Sequence, residues 1–489
     1  LKEIHKREMR LVLDLVVNHT SDEHPWFEEA RKSRHNPYYN YYHWWPAEKG
    51  EPPLRLSYFD EEGNAWMYNK STDSYYLHYF SRKQPDLNWE NPEVRQEIFD
   101  MMRFWFDKGI DGFRMDSISL IAKDPSFPLI DSKKYPDIFS FYAKEPRLHL
   151  YLHEMNRQVL SKYDCMSVGE GSAVMVDDVA KFVDPAREEL NMLYHFDAAR
   201  IRNTTLPDNP ESGIDYSLIA LKKMFTEWDK AVDKGWPSIY LGNHDQPRMV
   251  SRFGSDKDEF RALSAKMLIT FLLTMRGTPY WFAGDEIGMR NIRFDRIEDY
   301  NDIDTINRYK KAKAEGKDPQ AVLDEQKETG RDNARTPFQW DRSPETGFTA
   351  GTPWLKVNPD YTWINVADEE KDPTSILNYF KKVVSFRKEN PSLIYGSYHL
   401  LDAENPQSYT FLRKTGADTY LIMLNFSPKA AISTPGIDMS NAHVLLDNYG
   451  DRSHMAPQKD ITLRPFEAIV FQLNHPVYES FIDSLDLLE

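Results

Sequence analysis

The sequence predicts an α/β fold in which a parallel βα barrel is followed by an antiparallel β domain. Three patterns support this prediction: short apolar runs that end in polar residues, helical stretches between those runs, and alternating apolar segments near the carboxyl terminus. The carboxyl ends of the strands form the functional face of such a barrel. A doubly wound sheet would more often show a Gly-rich phosphate turn, and the sequence has none. The candidate barrel strands are 11–17, 112–115, 166–168, 193–196, 239–242 and 278–282.

The clearest predicted helix begins after Asn91. Asn91 is a favourable N-cap, and Pro92 follows it at the first helical position. Apolar residues then recur at helical spacing, which predicts the face that packs on the sheet: Val94, Ile98, Met102 and Trp105.

Three further segments complete the predicted domain organisation. Residues 20–84 are rich in aromatic residues and lack helical periodicity, so we expect a small domain inserted between barrel segments 1–19 and 85–395. Residues 299–330 are charged and predicted to be helical, with Ile303, Ile306 and Tyr309 on one face. Alternating segments from residue 396 onward predict a β-sandwich domain over 396–489.

Composition excludes several classes of function. The 61 basic and 77 acidic residues give a net charge of −16, which opposes binding to nucleic acid or anionic lipid. No run approaches the length of a membrane-spanning helix. The histidines show no metal-ligand spacing, and there is no Gly-x-Ser-x-Gly motif. Because Cys165 is the only cysteine, nothing demands an oxidising compartment, and we expect a cytoplasmic protein. The net charge favours a neutral or small partner, and we expect a monomer.

Carboxylates at strand ends are the best candidates for catalysis. Asp116 and Glu170 each follow a predicted strand, and Asp245 follows another. Arg114 lies two residues before Asp116, so both side chains point to the same side of a strand. An arginine in that position can hold the carboxylate ionised, which predicts a poised nucleophile.

Four segments resemble, in order and spacing, the signature segments of the α-amylase family, glycoside hydrolase family 13. They are Asp14-Leu-Val-Val-Asn-His19, Gly112-Phe-Arg-Met-Asp116, Val168-Gly-Glu170 and Gly242-Asn-His-Asp245. Longer stretches, including Gln84-Pro-Asp-Leu-Asn-Trp89 and Arg331-Asp-Asn-Ala-Arg-Thr-Pro-Phe-Gln-Trp340, resemble the oligo-1,6-glucosidase, α-glucosidase and sucrose isomerase branch. The resemblance implies a (β/α)8 barrel of TIM type, with the inserted domain after strand 3 and the antiparallel β domain at the carboxyl end.

The resemblance also implies roles for particular residues. Asp116 would be the nucleophile, Glu170 the general acid/base and Asp245 the carboxylate that stabilises the transition state. The pocket for the terminal glucose would be lined by His19, Phe80, Arg114, His244 and Arg331. Asp14, Asn18 and Asp285 match segments that are largely structural. We therefore expect a retaining, exo-acting α-glucosidase for maltose, isomaltose and short oligosaccharides, with sucrose as a further candidate substrate.

Two departures from the family pattern leave alternatives open. Members carry two further strands before residue 11, so we expect the first two barrel strands to be absent from this chain, together with any structural calcium site; no other cofactor is expected. Ser117 stands where valine accompanies α-1,6 activity, which favours α-1,4 or broad specificity. Sucrose isomerisation is the main alternative. Arg200, which we expect in a surface loop, matches the first arginine of an Arg-rich segment of the isomerases, whereas Arg202 does not match that segment. A non-catalytic subunit of the same fold is a remote alternative.

Overall fold

The computed structural model describes residues 1–59, 63–135, 137–416, 418–453 and 459–473. The chain divides into two compact units, residues 1–196 with 231–237 and residues 197–230 with 238–489. The predicted domain boundaries rest on sequence patterns and stay a prediction. Residues 60–62 of the predicted inserted domain, and residues 417, 454–458 and 474–489 of the predicted β-sandwich domain, lie outside the described residues.

The strands of the described residues are β1 Val12–Val16, β2 Trp44–Pro46, β3 Trp66–Asn69, β4 Ser74–Leu77, β5 Gly112–Asp116, β6 Met166–Glu170, β7 Met192–Tyr194, β8 Ser238–Ile239, β9 Thr278–Pro279, β10 Ser397–Leu401, β11 Ser408–Thr415, β12 Asp418–Asn425, β13 Ala431–Ser433, β14 Ala442–Asp447, β15 Ile461–Leu463 and β16 Ala468–Leu473.

The α-helices of the same residues are α1 Lys2–His5, α2 Pro25–Ala30, α3 Pro92–Asp107, α4 Phe139–Tyr142, α5 Arg147–Gln158, α6 Val179–Val183, α7 Asp197–Thr204, α8 Leu218–Ala231, α9 Met249–Phe253, α10 Arg261–Thr274, α11 Ile303–Ala314, α12 Pro319–Thr329, α13 Val366–Glu369, α14 Ile376–Glu389 and α15 Ser392–Tyr395.

A parallel sheet organises the first unit, with strand order β1-β5-β6-β7. Helices connect its strands, as parallel pairing requires. The sheet leaves no room for a side chain at Gly112, where a Cβ would lie 2.2 Å from the carbonyl oxygen of Met166 on the neighbouring strand. Glycine at this position therefore allows β5 and β6 to pair closely.

Helix α3 begins as predicted. The side chain of Asn91 accepts a hydrogen bond from the backbone N–H of Glu93, and Pro92 occupies the first turn. The predicted buried face is wrong at one position, because Trp105 is 38% exposed whereas Phe106 is 5% exposed. Phe106 packs edge-on against Phe113 of the sheet, so the buried arc is centred further round the helix and leaves Trp105 at its edge.

The segment inserted between β1 and α3 forms an antiparallel sheet of order β2-β4-β3. Its buried cluster is rich in aromatic residues, and Tyr79 stacks on Tyr142 with centroids 3.9 Å apart. Phe80 is half-buried at the edge of this cluster.

The second unit contains the short parallel pair β8-β9 and an antiparallel sheet of order β10-β11-β12-β16-β14. The pair is shorter than the predicted strands 239–242 and 278–282. The antiparallel sheet buries apolar side chains together with Ile461 and Leu463 of the separate pair β13-β15.

Two sequence predictions in the second unit need correction. Segment 299–330 is largely helical, as predicted, but Ile303 is 39% exposed and the buried residues of α11 are Thr305 and Ala312. Ile303 follows the N-cap directly and lies on the opposite side of the helix from the packed face. Arg200 lies within α7, not in a surface loop, and it pairs with Asp197 in the first turn of that helix at 3.5 Å.

Candidate active site

Strand register places the two main candidate carboxylates side by side. Met115 of β5 pairs with Gly169 of β6, so the next positions in the same register are Asp116 and Glu170. Neighbouring strands lie about 4.7–4.9 Å apart, and residues at matched positions point to the same face. The register therefore brings both carboxyl groups to the same face and the same end of the sheet, on adjacent strands, as a retaining glycosidase requires of its nucleophile and acid/base.

Arg114 connects the carboxylates of three strands. Its Nη1 donates to Asp116 Oδ1 at 2.8 Å and to Asp14 Oδ1 at 2.7 Å, and its Nη2 donates to Glu170 Oε2. The predicted pairing of Arg114 with Asp116 is confirmed, but it was incomplete, because the same guanidinium also binds Glu170. Burial alone would lower the pKa of Arg114, and the charges of Glu170, Tyr194 and Asp116, with the hydrogen bond to Asp14, outweigh burial and raise it. Arg114 is therefore a fixed positive charge.

Tyr194 completes this cluster from β7, where it pairs with Glu170 in the strand register. Its hydroxyl accepts from Arg114 Nε at 3.0 Å and donates to Glu170 Oε2 at 3.2 Å. The other oxygen of Glu170 accepts from the Ser172 hydroxyl at 2.8 Å. Glu170 is thus held at both oxygens and is only 7% exposed.

Ser117, directly after Asp116, adopts a left-handed backbone conformation with φ 44°. Such a conformation is uncommon for a residue with a side chain and costs of order 1–3 kcal/mol. It turns the chain at the end of β5, and the Ser117 N–H lies 3.4 Å from Glu170 Oε2. Ser117 itself is buried at this turn.

His19 and Phe80 meet in a second cluster of the first unit, with ring centroids 5.2 Å apart. His19 Nε2 is 3.0 Å from Gln84 Nε2, and its Nδ1 is 3.2 Å from Asn18 Nδ2. Burial, followed by the charge of Lys123, lowers the pKa of His19 to about 4. His19 is therefore neutral at pH 7 and can act as a hydrogen-bonding group rather than as a cation.

A buried ion pair stands behind His19. Lys123 Nζ lies 3.1 Å from Asp86 Oδ2 and donates to Asn18 Oδ1 at 2.5 Å, and both charged side chains are almost fully buried. Burial raises the pKa of Asp86 to about 6, against the opposing charge of Lys123. Asn18 thus contacts both His19 and the ion pair, in keeping with the structural role expected for it.

The second unit carries Asp245, His244 and Arg331. Asp245 Oδ1 accepts from Arg331 Nη1 at 3.1 Å and from Arg335 Nη2 at 2.9 Å. Its other oxygen lies 3.2 Å from His244 Nε2. Burial would raise the pKa of Asp245, but His244, Arg331 and Arg335 together lower it. Asp245 is therefore an ionised carboxylate, with two arginines on one oxygen and the His244 ring near the other.

Asp285, expected to be structural, is buried in the second unit, 3.7 Å from Arg248. Burial raises its pKa to about 7 despite that arginine.

Among the described residues, no group of three or more His, Cys, Asp or Glu side chains is arranged to hold a metal ion, and no helix is long and apolar enough to cross a membrane.

Sequence reasoning missed three polar members of these clusters. Tyr194 stands in a predicted strand, but only the register shows that it faces Glu170. Asp14 was assigned to the framework, and its contact with Arg114 follows from their pairing across β1 and β5. Arg335 lies within the quoted motif that begins at Arg331, and its spacing of four residues from Arg331 could have identified it.

Comparisons with known proteins show the family of the chain. The family model of the α-amylase catalytic domain matches residues 1–396. The oligo-1,6-glucosidase of Parageobacillus thermoglucosidasius is 49% identical over 487 residues, which cover 97% of this chain and 85% of that protein. The oligo-1,6-glucosidase of Bacillus cereus is 45% identical over 483 residues, with coverage of 97% and 85%.

Solved structures show the same fold. The isomaltulose synthase SmuA from Protaminobacter rubrum has a TM-score of 0.90 and 38% identity, and the match covers 97% of this chain and 85% of that chain. The predicted fold class, a TIM-type barrel with a carboxy-terminal antiparallel β domain, is confirmed.

Proposed function

Because this chain belongs to the α-amylase family of glycoside hydrolases, we propose that it is a retaining, exo-acting α-glucosidase of short oligosaccharides. The observation that carries this proposal is the matched position of Asp116 and Glu170 on adjacent parallel strands, bound to one guanidinium. The relatives named oligo-1,6-glucosidase support the same substrate class.

The proposed reaction has two steps. Asp116 Oδ attacks the anomeric carbon while Glu170 gives its proton to the glycosidic oxygen, so that the C–O bond breaks and a glucosyl ester forms. Glu170, now a carboxylate, takes a proton from water, the water oxygen attacks the same carbon, and Asp116 leaves as a carboxylate. Two inversions give net retention. Carboxyl groups and water suffice for this chemistry, and we propose that no cofactor is required.

For the remaining candidate residues, we propose sugar-binding roles within each unit separately. Asp245, ionised and held by two arginines, would accept hydrogen bonds from sugar hydroxyls and stabilise the cationic transition state. Neutral His19, with Phe80 against its ring, would offer a hydrogen bond beside an apolar surface. His244 and Arg331 would contact the same sugar as Asp245. A pocket that grips one terminal unit makes the enzyme exo-acting.

We propose both α-1,4 and α-1,6 linkages as substrates. The names of the relatives favour α-1,6, whereas Ser117 beside the nucleophile favours α-1,4 or broad specificity. A single side chain discriminates between such substrates by only about 1–3 kcal/mol. Initial rates on maltose and isomaltose at equal concentration measure the preference directly.

Sucrose isomerisation is the second candidate, because an isomaltulose synthase shares this fold. Isomerisation requires the released fructose to outcompete water for the glucosyl ester, which needs a high effective molarity. Arg200 is 49% exposed in its side chain and pairs with Asp197 of its own helix. We therefore expect glucose and fructose from sucrose, and isomaltulose or trehalulose as the main product would instead establish an isomerase.

The catalytic assignment is tested by two variants. Asp116→Asn should abolish turnover, because an amide cannot form the ester. Glu170→Gln should retain the first step with an activated aryl α-glucoside, and azide should accelerate the second step and give the α-glucosyl azide. If the Glu170 variant gave the β-glucosyl azide, Glu170 would be the nucleophile and the two roles would be exchanged.

We further propose that the enzyme acts as a cytoplasmic monomer with small α-glucosides as its only partners. The single cysteine, Cys165, and the net charge of −16 support this proposal, because they give no basis for disulfides or for binding nucleic acid. Gel filtration with light scattering tests the oligomeric state.

A further inference from the structure

The excursion that contains α11 and α12 places a buried carboxylate beside the Asp245 cluster. Asp302 is the N-cap of α11, and its Oδ2 accepts from the Thr305 N–H at 3.2 Å and from the Thr305 hydroxyl at 3.1 Å. Its Oδ1 accepts from Arg331 Nη2 and lies 3.7 Å from Arg335 Nη1. One oxygen of Asp302 thus caps the helix while the other faces two arginines.

These are the same two arginines that hold Asp245. Arg331 and Arg335 each use a second nitrogen for Asp245 Oδ1, at 3.1 Å and 2.9 Å. Arg335 also donates through Nε to the carbonyl oxygen of His244 at 2.8 Å. Two guanidinium groups therefore lie between two carboxylates, and Asp302 is the more deeply buried of these, with 1% of its side chain exposed against 24% for Asp245.

The backbone around Asp302 is fixed from the same side. Asp332 Oδ2 accepts from the N–H groups of Asn301 and Asp302, at 2.6 Å and 2.8 Å. Arg331 and Asp332 are adjacent, so segments 301–302 and 331–332 bind each other reciprocally. This arrangement exceeds what a helix cap requires, because a cap needs only an oxygen on the first-turn N–H groups.

We propose that Asp302 is a positioning residue for the reaction: it orients Arg331 and Arg335 so that Asp245 stays fixed and ionised when the terminal glucose binds. The inference rests on the proposed function, since it assigns a role to the carboxylate that would grip that glucose. It also assigns a role to the charged segment 299–330, because the helices α11 and α12 of this segment hold Asp302 in place.

Asp302→Asn separates the two roles of this side chain. Asparagine is as good an N-cap as aspartate, so α11 should still form. The variant loses the charge that anchors the arginines, and we expect kcat/KM for an aryl α-glucoside to fall about 10- to 100-fold. Glucose, measured as a competitive inhibitor, should bind about tenfold more weakly. A lower kcat with an unchanged inhibition constant for glucose would show only a loss of folded enzyme. That result would overturn the proposal.

Asp318→Asn is the matched control. Asp318 caps the neighbouring helix α12 through the Gln320 N–H at 2.9 Å and is exposed. This variant makes the same chemical change at a helix cap that holds no arginine of the Asp245 cluster. We expect its kinetics to stay within about twofold of wild type.

A double variant tests whether Asp302 acts through Arg331. In an Arg331→Met background, Asp302→Asn should cost several-fold less than in wild type, because the hydrogen bond between Asp302 and Arg331 is already gone and only the longer contact with Arg335 remains. An equal loss in both backgrounds would show that Asp302 acts independently and would overturn the proposal.

A crystal structure of the Asp302→Asn enzyme tests the inference without an activity measurement. The two guanidinium groups should move away from Asp245, and unchanged contacts would overturn the inference. If the wild-type chain hydrolysed no α-glucoside, the proposed function would fail, while this structural result would still stand.

Discussion

Arg114→Lys is the sharpest test of the proposed mechanism. Arg114 binds Asp14, Asp116 and Glu170, and its Nε donates a hydrogen bond to the Tyr194 hydroxyl. Its side chain is 17% exposed. A lysine keeps the charge but presents one ammonium group, which cannot serve acceptors on three strands. The loss of two charge-assisted hydrogen bonds, at about 1.5–3 kcal/mol each, amounts to about 3–6 kcal/mol. This corresponds to a fall of about 10²- to 10⁴-fold in kcat/KM.

The assay is steady-state hydrolysis of an aryl α-glucoside, with the melting temperature measured in parallel. Arg103→Lys provides the control, since Arg103 forms an exposed pair with Asp100 at 2.6 Å on helix α3. Exposed pairs contribute about 0–1 kcal/mol, so that variant should behave like wild type. If Arg114→Lys lost less than about tenfold in kcat/KM, the shared arginine would not be essential and the mechanism would be wrong.

Three further predictions follow from single contacts. Tyr194→Phe removes the hydroxyl that lies between the arginine and the acid/base, and kcat/KM on the same aryl glucoside should fall about tenfold, as expected for one hydrogen bond to a charged group. His19→Gln removes a group whose pKa falls from 6.5 to about 4 on folding. Because the unfolded chain binds the extra proton between these values, wild type should lose about 3 kcal/mol relative to the variant as pH falls from 6.5 to 4, as measured by urea unfolding. Gly112→Ala should lower the melting temperature sharply, because its Cβ would clash with the carbonyl oxygen of Met166, and an unchanged value would contradict the strand register.

Side-chain positions within a single strand could be predicted best from the sequence. Side chains alternate with a period of two along a strand, so Arg114 and Asp116 could be assigned to one face without any knowledge of their neighbours. The order of polar residues at strand ends likewise identified Asp116 and Glu170 as candidates.

Contacts between strands could not be predicted in the same way. Tyr194 meets Glu170 because β7 pairs with β6 in one particular register, and a shift of one residue would turn Tyr194 to the other face. Lys123 is similar, since a lysine in a loop gives no indication that it will be buried against Asp86. Trp105 shows the opposite error, because apolar spacing defines a face but not the centre of that face.

The shared arginine is consistent with the charge changes of the proposed reaction. Before the first step, Asp116 is a carboxylate and Glu170 carries the proton to be donated. In the glucosyl ester, Asp116 is neutral and Glu170 is the carboxylate that must accept a proton from water. The two residues together carry one negative charge in both states, so Arg114 faces the same total charge while that charge moves from one acid to the other. A guanidinium that bound Asp116 alone would lose its partner at the ester stage, whereas one that binds both can favour the carboxylate form of Glu170 when it is needed as a base.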